Sequence, residues 1–273
     1  RLQLHALELD QELLALVVQL AVAHHGPAFD AFESAHDFAE TALVGLDAGL
    51  EADLDLGAPG EVDADLDAAV DGAVQAKMRN VGEACTAANR FLVADEVADE
   101  FSARLAQRLS SMKVGRGVAD DVQVGPVLTE KARAEILALV TDATDRGARL
   151  LTGGNAMEGP GFFVAPTVLA DVPPDARVGR EEIFGPVAPV VRFSSEQEAL
   201  DMANGTEYGL ISYVFTTDLA RGLRVSEALE SGMVALNAGV ISNPAAPFGG
   251  VKASGFGREG GREGIAEYLE TKY

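Results

Sequence analysis

Met78-Arg79-Asn80-Val81-Gly82-Glu83-Ala84-Cys85-Thr86-Ala87-Ala88-Asn89-Arg90-Phe91-Leu92-Val93 sets a lone thiol between two regular elements. Upstream, Asp63-Ala-Asp-Leu-Asp67 begins a helix, with short acids where they cap free N–H groups and face the positive end of the dipole. That helix ends near Asn80, a glycine follows at 82, and residues 89–93 read as a strand. Cys85 therefore falls on a loop joining a helix to a strand, the kind of place where catalytic groups sit. A lone cysteine taken without its context is more often inert core than nucleophile.

Downstream the chain alternates. Val97, Phe101, Leu105 and Leu109 recur every four residues and mark one helix face. Residues 131–147 read as a helix stopped at Gly147. Strands are expected at 148–151, 162–168, 188–193, 211–215 and 233–237, with helices at 195–203 and 219–229. This alternation predicts an α/β fold with a largely parallel sheet and flanking helices.

Composition breaks near residue 61. From Leu2 to Ala76 there is no Lys or Arg, and all four histidines fall in that stretch. Residues 1–61 are left unassigned: an acidic helical segment, a disordered tail, or sequence foreign to the original gene product, the last being favoured. His24-His25 lacks the spacing of a metal site, and no metal is expected. Residues 62–273 form the expected globular domain. The formal charge of -22 argues against nucleic acid or an anionic membrane as partner. One cysteine in 273 residues suits a reducing, cytoplasmic setting. The apolar run 13–23 is too short to span a bilayer, and the start has no signal-peptide layout.

Three blocks carry a resemblance. The pattern M-R-N-x-G-E-x-C-x-x-x-N-R, then Glu181-Glu-Ile-Phe-Gly-Pro-Val187, then Asn237-Ala-Gly with Pro247-Phe-Gly-Gly-Val-Lys-Ala-Ser-Gly-Phe-Gly-Arg-Glu259, resemble in order the signatures of the aldehyde dehydrogenase superfamily. Residues 239–250, the ending 264–273 and Arg79 look like its succinate-semialdehyde branch in particular.

The resemblance implies an aldehyde dehydrogenase-like catalytic domain that oxidises a small aldehyde, succinate semialdehyde to succinate, with NAD or NADP. Cys85 would be the nucleophile, forming a thiohemiacetal and then a thioester. Only a thiolate attacks well, so the thiol should be reactive near neutral pH. Arg79 and Ser242 would bind the substrate's distal carboxylate, a guanidinium being able to grip it with two hydrogen bonds. Phe248 would wall the aldehyde channel. Glu182 would accept from ribose hydroxyls and Phe184 would pack on the nicotinamide. A surface ion pair for Arg79, turn chemistry for Ser242 and plain core packing for Phe248 stay open.

The resemblance is incomplete. The family's coenzyme half, its oxyanion-hole asparagine and its Glu-Leu-Gly-Gly base have no counterpart before Cys85. Glu51 stands at the base's distance in unlike surroundings and is read as coincidence. Ala87 stands where some relatives carry a second cysteine, which excludes a local disulfide. Gly255-Phe-Gly-Arg-Glu-Gly260 fits a dinucleotide fingerprint but is read as a loop needing small residues. The expectation is a chain that binds no cofactor tightly by itself and forms a homo-oligomer in any full-length form. A non-catalytic truncated subunit and a weak cofactor-free thiol esterase are the alternatives.

Overall fold

The computed structural model describes residues 64–273 and the backbone of residues 41–44, all within one unit, Asp37–Tyr273. Asp63, His24-His25, Glu51 and the acidic segment apart from residues 41–44 lie outside the described residues.

Among the described residues a seven-stranded sheet runs in the order β3-β4-β5-β2-β1-β7-β8. Its strands are β1 (Thr41–Val44), β2 (Arg90–Ala94), β3 (Arg149–Thr152), β4 (Thr167–Ala170), β5 (Val187–Phe193), β7 (Ile211–Phe215) and β8 (Met233–Leu236). Every neighbouring pair is parallel except β3 with β4, at one edge. β6 (Tyr208–Gly209) and β9 (Val251–Lys252) form a separate antiparallel ribbon.

β1 comes from the stretch left unassigned in the sequence, yet it stands in the middle of the sheet. Thr41 pairs with Arg90 on one side and Ser212 on the other, and Val44 with Val93 and Phe215.

Strands β2, β4, β5 and β7 are buried on both faces, as parallel strands are. In β2, Phe91 and Val93 enter one core while Leu92 and Ala94 enter the other. β7 repeats the alternation, with Tyr213 and Phe215 on the first side and Val214 on the second. The first core is closed by α1 (Leu66–Met78) through Ala69, Val70 and Ala73, and by α2 (Asp95–Ser110) through Phe101, Leu105 and Leu109. The second is closed by α3 (Glu130–Asp145), α4 (Glu196–Asn204) and α5 (Leu219–Ala228), which contribute Ile136, Leu139, Ala199 and Val225. A one-turn α6 (Glu263–Ala266) follows near the C-terminus.

Caps set the helix starts. Asp65, Thr129, Ser195 and Asp218 each accept a backbone N–H from the first turn of their helix. Gly147, with φ 108°, follows α3 as the spacing predicts. One expected strand moves. Residues 162–168 were read as a strand, but the strand begins at Thr167, and Val164 makes only an isolated bridge to Ala156. Gly159, Pro160 and Gly161 just before it hold an open turn that an apolar count does not register.

Phe101 is fully buried and meets the Phe91 ring at 6.1 Å between centroids. Truncation by Phe101→Ala is expected to cost about 3–5 kcal/mol. Denaturant unfolding would show it as a lower midpoint with little change in slope.

Candidate active site

The thiol loop is built by backbone bookkeeping. α1 ends at Met78 and passes into a 3₁₀ turn, Arg79–Gly82. Asn80 and Val81 take left-handed angles there, φ 47° and 63°. For a β-branched valine that conformation costs about 1–3 kcal/mol and persists only where its surroundings fix it. Gly82 follows at φ 82°, and a Cβ on it would stand 2.2 Å from the Gly185 carbonyl oxygen. Only glycine allows the two backbones to come so close.

After Cys85 the chain dives inward, and Thr86, Ala87, Ala88 and Asn89 are all buried. Their polar backbone groups need partners. The Tyr213 hydroxyl donates to the Thr86 carbonyl at 2.7 Å. The buried Lys77 ammonium donates to the Ala88 carbonyl at 2.8 Å. The Ala88 N–H donates to the Ala76 carbonyl at 3.1 Å. Asn89 donates through Nδ2 to the Glu181 carbonyl and accepts the Ile183 N–H at Oδ1, each at 2.9 Å. A carboxylate oxygen of Glu83 accepts the Leu128 N–H at 3.0 Å, and burial pushes the Glu83 carboxyl up.

Two of the sequence-predicted residues meet directly. Arg79 Nη1 donates to Ser242 Oγ at 3.1 Å, joining two positions 163 apart in the chain. Ser242 lies on an exposed loop that begins where Gly239 packs on the Gly72 carbonyl of α1. Phe248 is half-buried and exchanges backbone hydrogen bonds with Glu259, at 2.6 and 2.7 Å. Glu182 is half-buried beside the exposed Phe184, whose φ is 52°. The glycine-rich stretch 255–260 opens no long helix. It folds back so that Gly260 faces the Ala246 carbonyl and Gly261 donates to that of Pro244.

Cys85 is exposed at the surface. Protein nonetheless crowds its sulfur enough that lost hydration raises its pKa above the ordinary thiol value. Its own backbone N–H and the Arg79 cation pull the pKa down, while the Glu182 and Glu259 carboxylates push it up. The sequence led us to expect a thiol ionised near neutrality, and the described surroundings act in the opposite direction. Tyr213, Lys77, Asn89 and Glu259 were assigned no role from sequence. Asn89, Lys77 and Glu259 lie in or beside the motif blocks, but Tyr213 gave no local signal.

A profile of the aldehyde dehydrogenase family matches residues 61–273. The chain belongs to the aldehyde dehydrogenase family. It is 58% identical over 198 residues to a succinate-semialdehyde dehydrogenase of Paenarthrobacter nicotinovorans, covering 72% of this chain and 44% of that protein. It is 50% identical over 198 residues to an NADP(+) succinate-semialdehyde dehydrogenase of Escherichia coli K12, covering 72% and 41%. The NAD+ complex of an aldehyde dehydrogenase from Bacillus cereus superposes with a TM-score of 0.76 at 33% identity, over 86% of this chain and 44% of that one. The chain thus spans less than half the length of these relatives. Family members use a nicotinamide dinucleotide. Glu182 acts electrostatically on the Cys85 thiol, and Phe184, two residues further on, presents an exposed ring.

Arg79→Ala removes the cation that favours the thiolate, so the midpoint of Cys85 alkylation by iodoacetamide should move to higher pH. Glu259→Gln removes an opposing anion and should move it to lower pH. Rates measured from pH 6 to 10 in both variants check the two signs.

Proposed function

We propose that this site oxidises an aldehyde carrying a distal anionic group, with succinate semialdehyde as substrate and NAD or NADP as acceptor. The Arg79–Ser242 hydrogen bond, six residues of chain from an exposed thiol, is the observation that carries this reading. A guanidinium paired with a neutral hydroxyl keeps its positive charge uncompensated by that partner, which suits a carboxylate held away from the reacting carbon.

The Cys85 thiolate adds its electron pair to the aldehyde carbon. A carbon–sulfur bond forms and the carbonyl pair moves onto oxygen, giving a thiohemiacetal. The backbone N–H of Cys85 already acts on the sulfur, and Arg79 favours its ionised form. When bound, the nicotinamide supplies the hydride acceptor. Glu182 and Phe184 would hold that end of the cofactor. The acyl group left on sulfur is a thioester, which water cleaves to the acid. Phe248 and the loop bearing Ser242 would line the approach to the thiol.

The exposed thiol also favours a second, weaker reading. Acyl transfer from an activated ester to Cys85 needs no cofactor, so ester hydrolysis could run on these residues alone.

NAD(P)H formation with succinate semialdehyde, measured in a form that also carries the family's coenzyme-binding half, tests the main reading. Cys85→Ser should abolish it. Arg79→Ala should raise KM for succinate semialdehyde on the order of ten- to a hundred-fold, the loss of one charged hydrogen bond. A neutral aldehyde of similar length should be nearly unaffected. Equal effects on both aldehydes would remove the case for an anionic substrate. Ester hydrolysis that disappears in Cys85→Ser, with no NAD(P)H formed, would favour the second reading.

A further inference from the structure

Two contacts, one on each side of Cys85, hold the thiol loop against the segment bearing Glu182 and Phe184. On the C-terminal side, Asn89 is 3% exposed, and its one amide group satisfies both the Glu181 carbonyl and the Ile183 N–H. These two backbone groups bracket Glu182. On the N-terminal side, Gly82 meets the Gly185 backbone where no Cβ could fit. Gly185 directly follows Phe184. Both chains are in the left-handed region at that meeting, Val81 at φ 63° and Phe184 at φ 52°. Non-glycine residues keep such angles only where neighbouring structure over-determines them.

We infer that Asn89 is a positioning residue. Together with the Gly82–Gly185 contact, it locks residues 181–185 to the thiol loop as one unit. The separation between the Cys85 sulfur and the Phe184 ring is then set within this chain, before any cofactor arrives. The importance of that separation for hydride transfer rests on the functional reading above, in which Glu182 and Phe184 receive the nicotinamide end. The lock itself does not.

Neither partner of this lock can be replaced by a generic side chain. The Asn89 amide offers a donor and an acceptor on the same planar group, matching a backbone carbonyl and N–H two residues apart. An alanine leaves the Ile183 N–H buried without this acceptor and the Glu181 carbonyl without this donor, so the segment would shift toward solvent to satisfy them. The other half of the lock has no side chain at all. A methyl group at position 82 would collide with the Gly185 backbone and force the two segments apart.

The sequence allows a clean test, because it contains one cysteine and no tryptophan. Bimane attached to Cys85 would be quenched on contact by the indole of Phe184→Trp. In that background Asn89→Ala should lose most of the quenching at temperatures well below its own melting. Gly82→Ala should do the same through the other contact, which keeps the test available if one of the two fails to fold. Leu105→Ala, a cut in the distant core of α2, should lower the melting temperature and leave the quenching intact. Three results would overturn the inference: no quenching in the parent, parental quenching in whichever lock variants fold, or equal loss in Leu105→Ala. No aldehyde or nucleotide enters the measurement. Failure to form NAD(P)H would therefore sink the functional reading without touching this result.

Discussion

Buried backbone is the constraint on which the site depends. Between Cys85 and β2 the chain leaves the surface and runs four residues into the core, and every polar group it takes there must be matched. Tyr213 reaches it from β7, Lys77 from α1 and the Glu181–Ile183 segment from beyond β4. The thiol stands at the mouth of this passage because the residues behind it are held on three sides. Its exposure results from how tightly its successors are buried.

That arrangement explains a tension in the electrostatics. A loop pinned so closely crowds the sulfur, and crowding disfavours charge. Arg79 works against this from one side while Glu182 and Glu259 work with it from the other. The same arginine donates to Ser242, so the group proposed to hold the substrate's far end also biases the thiol. An anionic substrate resting on Arg79 would weaken that bias, coupling the two ends of the molecule through one side chain.

Much of the sheet was legible because strands packed between two cores are short apolar runs set off by turns. The short apolar runs of β2 and β7, buried on both faces, and the period near four in α2 are written in single stretches of sequence. The cap at Asp65, within the acidic run 63–67, was equally local. Pairings between distant segments were not. The two-residue strands β6 and β9 have no pattern of their own and exist through each other. β1 has four unremarkable residues in an acidic stretch, and only its neighbours in space make it a strand. In the site, Cys85, Arg79 and the 181–187 block announced themselves by motif. Tyr213 could not, since one tyrosine in a buried strand reads as packing until its hydroxyl is seen on the Thr86 carbonyl.

β1 also has a topological consequence. It is the keystone between β3-β4-β5-β2 on one side and β7-β8 on the other. Withdraw those four residues, and two rows of unsatisfied amides and carbonyls face each other across an empty slot one strand wide. Both walls run in the same direction, so the slot would accept an extended segment only in the parallel sense. A protein assembled this way is vulnerable at its centre, whereas most sheets are vulnerable at their rims.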